Sequence, residues 1–358
     1  MSGPASGAPR SGAARSEPLR IGILGAARIT ARALIAPARA VPSVTVTAVA
    51  ARDSSRSQAY AARHDIPVAY GSYEELLASP DIDAVYVPLP NALHAPWTLR
   101  ALAAGKHVLC EKPFASNAAE ARDVDAAAGA AGLVVMEAMH YRYHPLVHRM
   151  AALIRDGAIG VPSHVQAWTS WAIPDMGDIR YDFAVGGGAL MDGGCYAIDC
   201  IRLAGEAAGE AEPEVADAVA DPLPGGLVDR AAAGRLAFPG GMTGWFDSAF
   251  TRDGEFRADV HVIGDTGHLW LRNFINAHDG RLIVTRNGAV LSDERAAELR
   301  GAEDDAGDTT FTWQLRAFAA AVVDGTPFPT TAASAVTTMA LIDDAYRKAG
   351  MPLRERLS

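Results

Sequence analysis

Positive charge is in short supply in this 358-residue chain, where 32 Lys and Arg stand against 42 Asp and Glu for a formal net charge of −10. Such a field repels a phosphate backbone and excludes nucleic acid as the main partner. Cysteine is scarce too. Cys110, Cys195 and Cys200 cannot all pair, and none forms a CxxC unit, so neither a disulfide framework nor a thiolate zinc site is indicated and a reducing cytoplasm fits. Every apolar run is broken by Gly, Pro or charge before it reaches the roughly 20 residues of a membrane span, which argues against membrane insertion. The chain opens without an apolar secretion segment. Residues 1–18 are rich in Gly, Ala, Ser and Pro and read as a disordered tail.

What is present is the balance of an ordinary globular protein, 49% hydrophobic and 21% charged, at a length that predicts two folded units. From Leu19 onward short apolar runs (LRIGIL, VTVTAVA, AVYVPL, HVLC, LVVMEA, and a short one near Val68) alternate with amphipathic stretches of helical length. This is the rhythm of βαβ units, and it predicts an α/β, doubly wound parallel Rossmann sheet over residues 19–141. After about Tyr143 the rhythm changes. Residues 146–156 read as a helix and SHVQAWTSW as a strand, and several β-rich runs follow between Val215 and Val284, separated by Gly, Asp and Asn turns. The expectation for 142–358 is an α+β domain with a large, mostly antiparallel sheet, one face of it covered by closing helices at 309–323 and 333–349.

The first strand runs into GILGAARIT, where Gly25, Ala27 and Thr30 occupy the three positions of the G-x-G-x-x-G phosphate-binding turn. Two of the three glycines are absent, so the alternative is a tight βα turn without a ligand. At the tip of the second strand an NAD-selective domain places Asp or Glu against the ribose diol. This chain has Ala51 and Arg52 there, in AVAARDSSR, and Arg52 or Arg56 offers a guanidinium suited to a 2′-phosphate, which favours NADP(H) over NAD. The alternative is that Arg52 is solvated and Asp53 takes the ribose.

Two later segments carry candidate chemistry. In CEKPFA, Glu111, Lys112 and Pro113 emerge at the carboxyl edge of the sheet, where open α/β folds bind ligands. In GGGALMDGGCYAID, Asp192 and Tyr196 stand four residues apart and share a face if the helix has begun. Each segment alone also fits a capping aspartate and a packed tyrosine.

Together these segments resemble the glucose-fructose oxidoreductase, inositol dehydrogenase and rhizopine catabolism family (Gfo/Idh/MocA). The resemblance covers nearly the whole chain after the tail and rests on GILGAARI, YEELLASPDIDAVYVPLPNALH, AGKHVLCEKP, EAMHYRYHP, GGGALMDGGCYAID and TWQLRAFAAAV. It implies a Rossmann domain, a second domain whose sheet forms the interface of a homodimer or homotetramer, and a small polyhydroxylated substrate held between the two. Many members have histidine where this chain has Tyr196. Tyrosine there is similar to the glucose-fructose oxidoreductase, dimeric dihydrodiol dehydrogenase and NADP-xylose dehydrogenase branch.

Carried over, the likeness makes Lys112 and Tyr196 the residues flanking the reacting carbon, with Asp192 orienting a substrate hydroxyl. It assigns Gly25, Ala27, Arg28, Ile29, Arg52, Leu89, Asn91, His94, Glu111 and Lys112 to the cofactor, and Arg142, Tyr143 and Arg180 to the substrate pocket. For Asn91 and His94 the alternative is an asparagine turn with His94 opening a helix. A tyrosine with an ordinary pKa near 10 is a poor base at neutral pH, and the Lys112 ammonium is expected to favour its ionised form. The function implied is NADP(H)-dependent hydride transfer to or from a sugar, polyol or dihydrodiol. A nucleotide-sugar ketoreductase is the enzymatic rival, and a non-catalytic NADP-binding regulator the rival of another class. Retention of Lys112, Asp192 and Tyr196 argues against the regulator.

Three further signals are set aside. His140, His144 and His148 recur every four residues, but Pro145 disrupts the register and hydride transfer needs no metal. Trp168, Trp171, Trp245 and Trp270 read as core or sheet-interface residues rather than a carbohydrate-stacking platform. The acidic stretch 302–308 lacks calcium-loop spacing.

Overall fold

The computed structural model describes residues 17–251, 253–299 and 307–356. Most of the expected N-terminal tail and of the acidic stretch 302–308 lies outside the described residues. Runs of Val, Ile, Leu and Ala form β1 (Leu19–Leu24), β2 (Val44–Ala50), β3 (Val68–Tyr70), β4 (Ala84–Val87), β5 (His107–Cys110) and β6 (Val135–Glu137). They pair in parallel, in the order β3-β2-β1-β4-β5-β6. A parallel sheet is covered on both faces, and accordingly every residue of β4 is buried. The crossovers are α1 (π-helical over Ala31–Ile35, continued by Ala36–Ala38), α2 (Ser54–His64), α3 (Tyr73–Ala78), α4 (His94–Ala103) and α5 (Ala118–Ala131). Asp53, Ser72 and Asn117 cap α2, α3 and α5 by accepting a backbone N–H with the side chain. The strand order reverses between β1 and β4, which opens a crevice at their carboxyl ends.

After α6 (Pro145–Arg155) comes β7 (Pro162–Ala172), then α7 (Cys195–Ala207), which continues from a π-helical turn at Leu190–Gly194. The remaining strands are β8 (Glu214–Pro222), β9 (Asp229–Ala237), β10 (Thr243–Thr251), β11 (Arg257–Gly264), β12 (Gly267–Arg272), β13 (Arg281–Arg286) and β14 (Ala289–Arg295). With β7 they build an eight-stranded sheet, β14-β13-β12-β11-β7-β10-β9-β8. The sheet is mostly antiparallel, as expected, but β7 inserts at its middle and runs parallel to β10. One face is buried: Val165, Ala167, Phe246, Val260 and Val262 form a core with Ile198 and Ile201 of α7.

The closing helices, α8 (Thr310–Asp324) and α9 (Ala332–Lys348), depart from expectation. They do not share a layer over the second sheet. Phe311, Leu315, Phe318 and Ala319 of α8 pack on Leu19, Ile21, Ile23 and Leu109 of the first sheet. Through α9 the chain contacts both α5 and β8. An amphipathic pattern says that a helix has an apolar face and leaves its partner open.

Candidate active site

The carboxyl ends of β1, β2, β4 and β5 form one wall of a crevice of about 1050 Å³. Opposite stand the end of β7, the segment 172–180, and the π-turn leading into α7, while Phe311 of α8 closes one end. That volume lies at the upper end of small-molecule sites and leaves room for a dinucleotide with a compact substrate.

At one end lies the GILGAARI turn. Gly25 has φ +115°, and a Cβ there would approach Leu89 Cδ2 to 2.9 Å, so the glycine is needed for both backbone and space. Ala27, Arg28, Ile29 and Leu89 line the crevice beside it. Among the described residues the amides of Arg28 and Ile29 make no backbone bond within the chain, which leaves N–H donors at the start of α1 for an anionic ligand. Arg52 and Arg56 line the same end, with Arg56 Nη2 donating to Ala26 O at 3.2 Å. Asp53, the rival ribose ligand, caps α2: its Oδ1 accepts from Arg56 N at 2.8 Å and from the Ser55 hydroxyl at 2.7 Å. This donor set, two guanidiniums without an acidic competitor, fits the 2′-phosphate of NADP(H) better than the diol of NAD(H).

At the other end the two sheets meet. Lys112 Nζ donates to Asp192 Oδ1 at 2.6 Å and to the Asp192 carbonyl at 2.9 Å. Arg180 Nε donates to the other carboxylate oxygen at 2.7 Å, and Asp178 holds Arg180 Nη1 at 3.1 Å. Burial alone would raise the Asp192 pKa, but Lys112 and Arg180 outweigh it and hold the carboxyl down at about 2. Lys112 in turn stays above its ordinary value: burial disfavours its charge, and the nearby Asp192 more than offsets this. Its Nζ sits 5.1 Å from the centroid of the Tyr196 ring.

The Tyr196 hydroxyl lies 3.1 Å from His140 Nε2, and His140 Nδ1 lies 2.7 Å from the Thr310 hydroxyl. Burial, then the charge of Glu111, pushes the phenol well above 10. Lys112 is thus bound to Asp192 while its ammonium stays beside the Tyr196 ring. Glu111, 8% exposed, accepts the Tyr86 hydroxyl at 2.6 Å and the Lys112 amide at 3.2 Å. Its carboxyl is raised by burial, partly offset by the Tyr86 bond.

Asn91 lines the crevice and donates through Nδ2 to Gly186 O at 2.9 Å. His94 also lines it, but its ring nitrogens lie 2.7 Å from the carbonyls of Pro113 and Leu89, and burial brings its pKa down to about 4. It opens α4, as the alternative reading expected, and ties the PLP turn to the EKP segment, whereas Asn91 reaches the distant Gly186 rather than forming a local asparagine turn.

Arg142 and Tyr143 require a correction, since neither lines the crevice. Arg142 is turned into the fold against Asp199 (3.4 Å) and Glu206 (3.6 Å), while the Tyr143 hydroxyl meets that of Thr330 at 2.6 Å. Both are held by partners distant in sequence, which a local motif does not reveal. Conversely, His140 and Trp171, set aside on sequence grounds, both line the site. His144 caps α6 by accepting from Leu146 N at 3.1 Å, and His148 Nε2 meets Arg142 O at 2.8 Å. Trp171 stacks on Phe256 with centroids 5.9 Å apart and an interplanar angle of 15°, forming an apolar flank with Ile173 and Ile179. The signal for Trp171 was its place at the end of β7.

Residues 19–139 match the family described as "Oxidoreductase family, NAD-binding Rossmann fold", and residues 147–270 match "GFO/IDH/MocA C-terminal domain". An uncharacterised oxidoreductase of Rhizobium meliloti is 34% identical over 92% of this chain and 97% of its own length. A D-xylose 1-dehydrogenase (NADP(+)) of Haloferax volcanii is 45% identical over 52% of this chain and 57% of its own. Among solved structures, a 3-ketoreductase of Actinomadura kijaniata in complex with NADP and TDP-benzene superposes with a TM-score of 0.81 at 31% identity, covering 92% of this chain and 98% of that one.

Proposed function

The chain belongs to the Gfo/Idh/MocA family of oxidoreductases, and from that premise we propose that it transfers hydride between NADP(H) and the hydroxyl- or carbonyl-bearing carbon of a small, uncharged sugar, polyol or dihydrodiol. The observation that carries this reading is the meeting of Lys112, from the edge of the first sheet, with Asp192 and Tyr196, from the start of α7, in one crevice with the phosphate-binding turn. In this reading residues 19–141 hold the cofactor, and 142–358 supply the substrate wall and the subunit contact.

Gly25, Ala27, Arg28, Ile29, Arg52 and Leu89 would hold the dinucleotide, with Asn91, His94 and Glu111 nearer its reactive end. Bound there, NADP(H) supplies or accepts the hydride. The chain's own task is the proton and the charge. Tyr196, kept protonated by burial, donates to the oxygen of a carbonyl in reduction; in oxidation it takes the alcohol proton only as its own phenolic proton departs. Lys112 stays cationic and places its ammonium where alkoxide charge develops. Asp192, its carboxyl held down by Lys112 and Arg180 and so ionised at neutral pH, fixes both of them and accepts from a substrate hydroxyl.

The substrate end favours a neutral ligand. Lys112 and Arg180 are each clasped by carboxylates, Asp192 and Asp178, so neither of these two is a free cation for a diphosphate. Trp171 and Phe256 offer a flat apolar flank to a ring. This observation ranks a nucleotide-sugar substrate second. Incubation with NADP+ and a panel of aldoses, polyols and cyclic diols, and with NADPH and their carbonyl counterparts, tests the proposal through nicotinamide absorbance. Cofactor binding without turnover on any of them, in both directions, would instead support a regulator.

The setting proposed is the cytoplasm, where the buried thiols of Cys110, Cys195 and Cys200 remain unpaired. Among the described residues no helix is long and apolar enough to cross a membrane.

A further inference from the structure

We propose that His140 is the proton acceptor behind Tyr196, so that in alcohol oxidation the phenol passes a proton through rather than ionising. This rests on the oxidoreductase reading above and assigns a role to a residue it leaves unused. His140 is 3% exposed and stands in a short 3₁₀ turn after β6, its ring over Phe311 at 3.9 Å between centroids. Its two nitrogens complete a chain from Tyr196 Oη through Nε2 (3.1 Å) and Nδ1 (2.7 Å) to Thr310 Oγ1.

A neutral imidazole has one donor and one acceptor, so the chain runs in one of two directions. A phenol is a far better acid than an imidazole N–H, which makes Tyr196 the donor to Nε2 and Nδ1–H the donor to Thr310. The lone pairs of Tyr196 Oη then remain open to the crevice. The groups facing His140 keep it neutral: burial first, then the charges of Arg32 on α1, Lys112 after β5 and His278 in the 277–279 turn. Those facing Tyr196, above all Glu111, oppose a phenolate. Imidazole is therefore the base available at neutral pH, and Thr310 fixes which nitrogen faces the phenol.

The step balances. The alcohol O–H breaks as its proton joins Tyr196 Oη, the original phenol O–H breaks as its proton joins His140 Nε2, and the carbinol hydrogen leaves with two electrons as hydride to NADP+. A ketone or aldehyde, a neutral Tyr196 and an imidazolium remain, and reduction runs the same sequence backwards.

Two measurements test this. Nitrogen-15 spectra of the histidine side chains, with the His140 signals assigned through His140→Gln, report the tautomer in the resting protein without turnover. A Nδ1–H, bare Nε2 form is expected, and a protonated Nε2 would overturn the relay. The pH profile of kcat for oxidation is then compared among wild type, His140→Phe and His140→Gln, the last able to hydrogen-bond but not to take a proton. Wild type should lose rate only as acid protonates His140, below the ordinary imidazole value of 6.5. Both variants should fall about 100-fold at neutral pH and recover roughly tenfold per pH unit toward alkali, where phenolate forms unaided. Variant profiles parallel to that of wild type would show a merely structural histidine. If wild type turns over no alcohol, the functional reading fails, and the tautomer still judges the hydrogen-bond chain.

Discussion

Lys112, Asp192 and Tyr196 are separated by 80 residues or more along the chain on one side and by four on the other, yet they share one cluster. Tyr196→Phe and Lys112→Ala should each lower kcat by about 10²- to 10⁴-fold, while NADPH binding, followed by fluorescence titration, stays within a few-fold. Near-normal turnover in either variant would count against its role. Arg52→Ala should erode the preference for NADP+ over NAD+, read as the ratio of the two affinities. An unchanged ratio would return the 2′-phosphate to Arg56 alone. Away from the crevice, burial and then the charge of Asp199 raise the Glu137 carboxyl to about 8, so the fold carries it neutral. In an unfolded chain it ionises near 4.5. The folded form binds the extra proton between those values, so stability falls as pH rises from 4.5 to 8. Glu137→Gln should leave the denaturation midpoint unchanged at pH 4 and raise stability on the order of 5 kcal/mol at pH 9. A gain of equal size at both pH values would point to packing instead. At this scale the sequence is legible where chemistry sits inside one motif, as for Lys112 in CEKP. It is not where the partner is remote, because His140 finds its meaning in Tyr196 and Thr310, and Arg142 in Asp199 and Glu206.

Among the elements, the first sheet could be read directly, since strands buried on both faces are written as short, mostly apolar runs such as LRIGIL and AVYV. The place of β7 at the centre of the second sheet could not, because alternation gives a strand's faces and not its neighbours. Nor could the bracing of α7. Arg354, near the C-terminal end of the described residues, donates to Gly187 O at 2.8 Å and to Asp229 Oδ1 at 2.8 Å. Asp229 also accepts from the Tyr346 hydroxyl at 2.8 Å and from Leu190 N at 2.7 Å. Gly188 has φ +136°, and a Cβ there would collide with Asp229, Arg354 and Tyr346. The side chains of Arg354 and Asp229 are 1% and 0% exposed, so Arg354→Ala strands a buried carboxylate and should cost about 3–5 kcal/mol in urea unfolding. Because Leu190 begins the turn that carries Asp192, activity should fall before the global transition. Coincident loss of both would mean that the brace serves stability alone.

For the whole molecule, the second sheet leaves one face without a helix layer among the described residues. Trp168, Trp245 and Trp270 stand on it, with Val219 at 66% exposure on the β8 edge. A tryptophan-bearing face of this kind is a candidate subunit contact, and a homodimer or homotetramer formed through it is the expected state. Light scattering should give a mass of two or four chains, and Trp270→Glu should shift it toward one. A monomeric wild type would discard the assembly without touching the crevice. The second consequence comes from α8, which crosses from the later half of the chain to seal the wall formed by Leu19, Ile21 and Leu109. During synthesis the nucleotide chamber is therefore unfinished until α8 has left the ribosome. A product terminated before α8 would expose a greasy flank where that helix belongs and become a substrate for chaperones and proteases, so synthesis through α8 is itself a condition for a closed chamber.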